Sequence, residues 1–436
     1  MLKCSGHSVS IRDVSKALLS DKFSSEEKIE LHKFEWISLL NLSMDRQWRV
    51  LIRRHIAFWI MNFNDSRNYS WKIPVISERI CNWIMQHNLI SKTSDKKFNI
   101  ELLESLMQQR KFLKRQMYLQ LPLLDKLILM RAIMVASAAI NDRKTVRKTI
   151  QELSIFLKRI DCIESCKTSQ EILNALRYFI EIRSIITFYR YSIPEEVTMA
   201  MNRLAQVTRK IRHADGGLSI FQSEFTPSST YVDAVLSHVE QKNVSESSAD
   251  SNYVRLQSLD GTAFINLRNR YFPLEFSAGS QRVILGTYLY FSNQKLLFSE
   301  TNRMSHSINR EKNNVWLNGK SEFVVNDHEI VFEKRLYINS FGNDIRCEES
   351  LSTKSFDVLH CISLPGEIDV SLLEYQNGFF MDMKNGARWM WCFDRSAKFS
   401  FDFDRSCILN GEKKGFTLLT VGSDSLDNLR WSLKRI

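Results

Sequence analysis

Glycine is nearly missing from the first half of this 436-residue chain: Gly6 is followed by no other until Gly216, and 13 of the 14 glycines lie from that residue onward. Glycine weakens a helix by about 1 kcal/mol and serves tight connections between strands. A stretch without it therefore predicts continuous helix, and the glycine-punctuated remainder predicts strands joined by turns. Proline is scarce too, and Pro74, Pro122 and Pro194 stand at or near predicted helix starts, where a missing N–H costs little. No apolar run reaches the roughly 18 residues that a membrane span needs; the stretch 127–140 is interrupted by Arg131. The first residues carry no apolar core of a cleaved signal, so a cytoplasmic location is expected, with the periplasm or cell envelope as the alternative. Eight cysteines form no framework, and Cys162 with Cys166 lacks the second pair that structural zinc requires. A Gly-rich phosphate loop and an internal repeat are both absent, and no cofactor is expected.

What is present divides at the same place. Residues 1–212 hold 36 Lys and Arg against 21 Asp and Glu, a balance of +15, while residues 213–436 hold 24 against 28, a balance of −4. The whole excess of +11 thus belongs to the first half, which predicts attraction to a polyanion. No helix-turn-helix, zinc-finger or RNA-binding-sheet signature appears, so nucleic acid is the less favoured one. Ser24-Ser25-Glu26-Glu27 offers a capping box, and amphipathic runs follow at 45–63, 75–90, 98–120, 122–140, 143–160, 168–190 and 194–211. Basic pairs such as Lys114-Arg115 and Arg143-Lys144 recur among them. From residue 253 the period becomes two. Lys398 to Asp404 alternates phenylalanine with polar residues, and strands are predicted at 322–332, 345–351, 356–363, 368–373, 389–393 and 416–421. Asn318-Gly319, Asn377-Gly378, Asn385-Gly386 and Asn410-Gly411 read as turns between them. The expected fold is α+β and multidomain, with an all-helical domain over 1–212 and an antiparallel β-sandwich over 213–436. The polar, serine-rich stretch 241–252 reads as a loop.

Several collinear segments carry a family resemblance. Met201-Asn202-Arg203-Leu204-Ala205-Gln206-Val207-Thr208-Arg209-Lys210-Ile211-Arg212-His213-Ala214-Asp215-Gly216-Gly217-Leu218 resembles the "RMAPMLRFFRHGDGGLA" segment of bacterial heparinase II/III-like proteins. Leu31-His32-Lys33-Phe34-Glu35-Trp36-Ile37 is similar to the family's "LHSFEWL", and Arg303-Met304-Ser305-His306-Ser307 to its "TAAHST". Leu274-Glu275-Phe276-Ser277 and the closing Leu429-Arg430-Trp431-Ser432-Leu433-Lys434-Arg435 extend the match. The resemblance implies an incomplete α/α toroid followed by an antiparallel sandwich. It also implies polysaccharide lyases that cleave uronate glycans by β-elimination, some of which hold a structural zinc through His and Asp.

The chain departs from that pattern where chemistry would sit. Leu267-Arg268-Asn269-Arg270 replaces a histidine-bearing element, Ile284-Leu285-Gly286 replaces one with a possible acidic ligand, and Lys334-Arg335-Leu336-Tyr337 keeps only the tyrosine of His-Asp-Gly-Tyr. What the resemblance leaves is His213 and Tyr337 as candidate catalytic groups, and Arg212, Arg268 and His360 as candidate substrate contacts. His306 is the one surviving candidate metal ligand, and a single imidazole does not hold zinc, so no metal is expected. The expected function is a lyase homologue that acts on or binds an acidic polysaccharide with elimination reduced or lost. The alternative is a non-catalytic binder of an anionic polymer, glycan or nucleic acid.

Overall fold

The computed structural model describes residues 2–4, 7–40, 46–213, 215–219, 227–240, 253–257, 262–266, 274–278, 281–291, 294–295, 302–311, 314–325, 328–352, 357–365, 369–373, 377–383, 386–394, 397–409, 412–423 and 429–436. The loop expected at 241–252, Arg268 and the Asn410-Gly411 turn lie outside the described residues. The chain forms two compact units, Met1–Cys166 with Asn174–Leu204, and Lys167–Leu173 with Ala205–Ile436.

The first unit is helical. Its capping box is present: the Ser24 hydroxyl accepts from the Glu27 N–H at 3.3 Å and the Glu27 carboxylate accepts from the Ser24 N–H at 2.8 Å, opening helix Ser25–Lys33. The run predicted at 122–140 is helix Leu123–Ala139, buried without a break from Leu127 to Ala136. A helix apolar all round belongs at the centre of a bundle, and this one packs on Ile73–Met85, Lys96–Gln116 and Arg143–Leu157. The helix predicted over 75–90 breaks at Gln86 into Ile73–Met85 and His87–Ser91, and Val14–Leu19 forms a helix that the periodicity did not announce. Cys162 and Cys166 lie in and at the end of a turn, both buried and neither in a disulfide.

Among the described residues the second unit carries two eight-stranded antiparallel sheets. One runs, in spatial order, Asp369–Leu372, Gly378–Asp382, Arg388–Phe393, Leu429–Arg435, Asp344–Leu351, His328–Ile338, Asn314–Val325 and Asn302–Glu311. The other runs Ala397–Leu409, Glu412–Ser423, Asp357–Pro365, Gln281–Phe291, Leu274–Ala278, Thr262–Asn266 and Tyr253–Gln257, with Gln294–Lys295 beside Gln281–Phe291. The expected succession of helical domain and antiparallel sandwich is therefore present.

Two local expectations are corrected. Asn318-Gly319 is not a turn but lies mid-strand, Gly319 pairing with His306 on one side and Lys334 on the other. Lys334, opposite Gly319, is fully buried with its ammonium 2.9 Å from Glu349. The single strand expected over 322–332 is the meeting of two, Asn314–Val325 and His328–Ile338. Gly378 opens a strand, where a Cβ would stand 2.2 Å from the Trp391 carbonyl oxygen.

Candidate functional site

Strand alternation sorts the sequence Lys334-Arg335-Leu336-Tyr337 onto two faces: Lys334 and Leu336 are buried, Arg335 is exposed and Tyr337 half-buried. The register then assembles the outer face. Tyr337 stands opposite Trp316 and Arg346, and Arg335 opposite Asn318 and Glu348. Arg346 in turn faces Ser432, and Glu348 faces Arg430. These residues line a depression of about 480 Å³, with Cys392 and Asp394 at its far side. The Trp316 and Tyr337 rings lie 5.2 Å apart at 48°, and the Arg346 guanidinium is 5.9 Å from the tyrosine ring. Arg430 donates to Glu348 at 2.8 and 3.0 Å, and Arg346 donates to Asp344 at 2.7 Å, whereas Arg335 approaches Glu348 and Glu333 only at 3.8 and 3.9 Å. Of this constellation the sequence singled out Tyr337 alone; Trp316, Arg335, Arg346 and Arg430 are separated by up to 114 positions and become neighbours only through the pairing.

His213 sits elsewhere in the same unit. Its turn is held by Gly216, whose φ is +81° and whose missing Cβ would stand 2.8 Å from the Arg212 guanidinium. The His213 N–H donates to the Gly217 carbonyl and Asp215 accepts from the Gly217 N–H, so the acid beside the histidine braces the backbone. The imidazole Nε2 lies 2.7 Å from Glu275, and both side chains are wholly enclosed. Arg212 is likewise committed, to Asp233 at 2.9 Å and to the Gly216 carbonyl at 2.9 Å. His306 is exposed on strand Asn302–Glu311; its register with Gly319 and Lys334 puts it on the sheet face opposite to Tyr337. His360 lies in the other sheet, paired with Thr287 and Val421. Arg212 and His213 share one turn, whereas Tyr337, His306 and His360 stand on three different strands.

The helical unit holds two further groupings. Glu78 and Arg131 are buried and paired at 2.9 Å, Tyr178 donates to Glu78 at 2.8 Å, and Arg131 also bonds Glu181. Burial alone would raise the Glu78 pKa, but Arg131 and Arg177 outweigh it and hold the carboxyl below its usual range. Glu35, from the Phe-Glu-Trp segment, is exposed, yet the surrounding protein and then Glu78 raise its pKa. The second grouping is a cationic stripe. Lys111, Arg115, Arg143, Lys144, Arg147 and Lys148 are exposed on helices Lys96–Gln116 and Arg143–Leu157, which are joined by Lys114 donating to Thr145 at 3.0 Å. Arg143 and Lys144 occupy the first turn of their helix, where the dipole disfavours cations.

No protein-family model and no curated protein sequence matches this chain. Among solved structures, a heparinase III matches with a TM-score of 0.73 at 12% identity over 96% of this chain and 78% of its own. A second heparinase III gene product gives 0.62 at 10% over 98% and 84%. The chain has the heparinase III fold. The heparan sulfate lyase HepC of Pedobacter heparinus shares it, at a TM-score of 0.54 and 9% identity over 98% and 82%. In heparinase III terms the helical unit is the α/α toroid and the two sheets are the sandwich. A zinc of the kind the resemblance brings is not supported by donors here: among the described residues no three of His, Cys, Asp or Glu converge, and His306 faces solvent. Nor is any helix among the described residues long and apolar enough to cross a membrane.

Proposed function

We propose that this chain binds an acidic, uronate-containing polysaccharide, and that its β-elimination chemistry is reduced or lost. The observation that carries binding is the stripe of Lys111, Arg115, Arg143, Lys144, Arg147 and Lys148 on a heparinase III fold. Cations in a helix's first turn are there at a cost of several tenths of a kcal/mol each, which favours a role for them outside folding. Elimination needs a base at the carbon next to the uronate carboxylate, a partner for the developing dianion, and an acid for the leaving oxygen. An enclosed His213 engaged with an enclosed Glu275 is poorly placed to be the base, and Tyr337 and His306 lie on opposite sheet faces. These features support weakened turnover.

The test is incubation with heparan-type and other uronate polymers, read as absorbance of the unsaturated product beside equilibrium binding. Binding with little or no absorbance is expected. Rapid product formation would sink the catalytic half of the reading. The same stripe admits a nucleic acid; competition by duplex DNA with a steeper salt slope than the glycan's would favour that alternative.

A further inference from the structure

The sheet-face depression is poorly explained as an ordinary solvated surface. Its centre is a tryptophan and a tyrosine set side by side across two strands, both half-buried with their rings in contact distance. Around them stand three arginines, of which Arg430 is paired with Glu348 and Arg346 with Asp344, leaving Arg335 the least committed. Arg335 keeps 65% of its side chain in solvent and has no carboxylate nearer than 3.8 Å, so its planar fork is open to a further acceptor. The volume of about 480 Å³ falls in the class of small-ligand sites.

We propose that this face is a saccharide subsite, holding one acidic sugar unit with the Trp316–Tyr337 pair against its ring and Arg335 on its carboxylate or sulfate; the assignment rests on the acidic-polysaccharide reading above. The chemistry is specific. The axial C–H bonds of a pyranose carry small positive charges that meet the negative face of an aromatic ring, as a cation does more strongly. Vicinal hydroxyls present paired donors and acceptors that match the planar Glu348 carboxylate and the Arg430 guanidinium, which already share two hydrogen bonds. In this arrangement Tyr337 contributes its ring, not a proton: its neighbours on the face are Trp316, Arg335 and Arg346, and no histidine stands among the depression's lining. Arg335, the least committed cation of the face, selects an acidic unit over a neutral one.

The experiment is calorimetric titration of the full chain with a size-defined uronate oligosaccharide and with a neutral oligosaccharide of equal length. Trp316→Ala and Tyr337→Ala should each weaken the acidic ligand about tenfold, the equivalent of one aromatic contact. Tyr337→Phe should bind as the wild type does. Arg335→Gln should lose affinity and salt dependence for the acidic ligand only, and because that side chain is exposed its thermal melt should be unchanged, which separates binding from misfolding. If the wild type binds but Trp316→Ala and Arg335→Gln bind equally well, the subsite assignment falls while polysaccharide binding stands. Absence of wild-type binding to any acidic glycan would remove both. A Tyr337→Phe variant that binds normally but loses residual elimination would return the hydroxyl to catalysis and overturn the statement that Tyr337 contributes no proton.

Discussion

His213 and Glu275 are 62 positions apart, yet each is the other's partner inside a space with no water-exposed surface. Removing one member of such a pair is costly, because the other keeps its burial and loses that hydrogen bond. His213→Ala should therefore lower unfolding stability by about 3 kcal/mol, read as a drop in the urea midpoint at unchanged m. His213→Ala combined with Glu275→Leu should recover much of it, because both ends of the pair are then apolar. Should His213→Ala keep its stability but abolish whatever turnover exists, the histidine would be a proton-transfer group after all. The resemblance drew attention to His213 and to the segment Leu274-Glu275-Phe276-Ser277, but nothing local to either says that the two side chains meet, since their contact is a long-range one.

At the scale of elements, helix Ser25–Lys33 meets helix Arg46–Phe63 through His32, whose Nδ1 accepts from the Trp59 indole at 2.9 Å. The proton must then sit on Nε2, 3.1 Å from the Tyr69 hydroxyl, so the ring is a neutral bridge. Burial first, then Arg79 and Lys28, lower its pKa from 6.5 to about 3. The unfolded histidine takes up a proton below about 6.5 and the folded one does not until about 3, so acidification through that window favours the unfolded chain by up to about 1.4 kcal/mol per pH unit. Between pH 7 and pH 5 the wild type should lose about 2 kcal/mol more stability than His32→Gln, measured by chemical denaturation at each pH. Equal losses would mean that the ring is protonated in the fold. The helix itself was legible: Ser24 and Glu27 have capping spacing, and the apolar residues that follow keep a helical period. Gly386 has φ +79° between two paired strands, as the Asn-Gly signal leads one to expect, while Asn385 lies outside the described residues. Asn318-Gly319 carries the same local signal but sits beside Lys334, and the packing of that buried lysine against Glu349 decides its place. The sheet-face depression was illegible for a deeper reason, because antiparallel register is a long-range property and its rows join residues 316, 337, 346 and 432.

At the scale of the molecule the charge asymmetry is what the sequence showed most directly, +15 before residue 213 and −4 after it. Structure locates that excess. Arg131 and Arg177 pair with Glu78 and Glu181, and Arg110 with Asp142, so these groups cancel one another and the surplus is carried by other cations. Arg143, Lys144, Arg147 and Lys148 project from successive turns of one helix as exposed cations. Replacing all four with glutamine should weaken binding to an acidic polysaccharide at least tenfold near 0.1 M salt, where exposed charges act over about 10 Å, and should flatten the fall of affinity with salt. Stability should move the other way. Removing two cations from the first turn of the helix relieves an unfavourable interaction with its dipole, so the variant should melt at the same temperature as the wild type or slightly above it. A general loss of fold cannot produce weaker binding and undiminished stability together. An unchanged affinity in the quadruple variant, at every salt concentration, would mean that the stripe is only a solvated surface and that polyanion binding must be sought on another face of the chain.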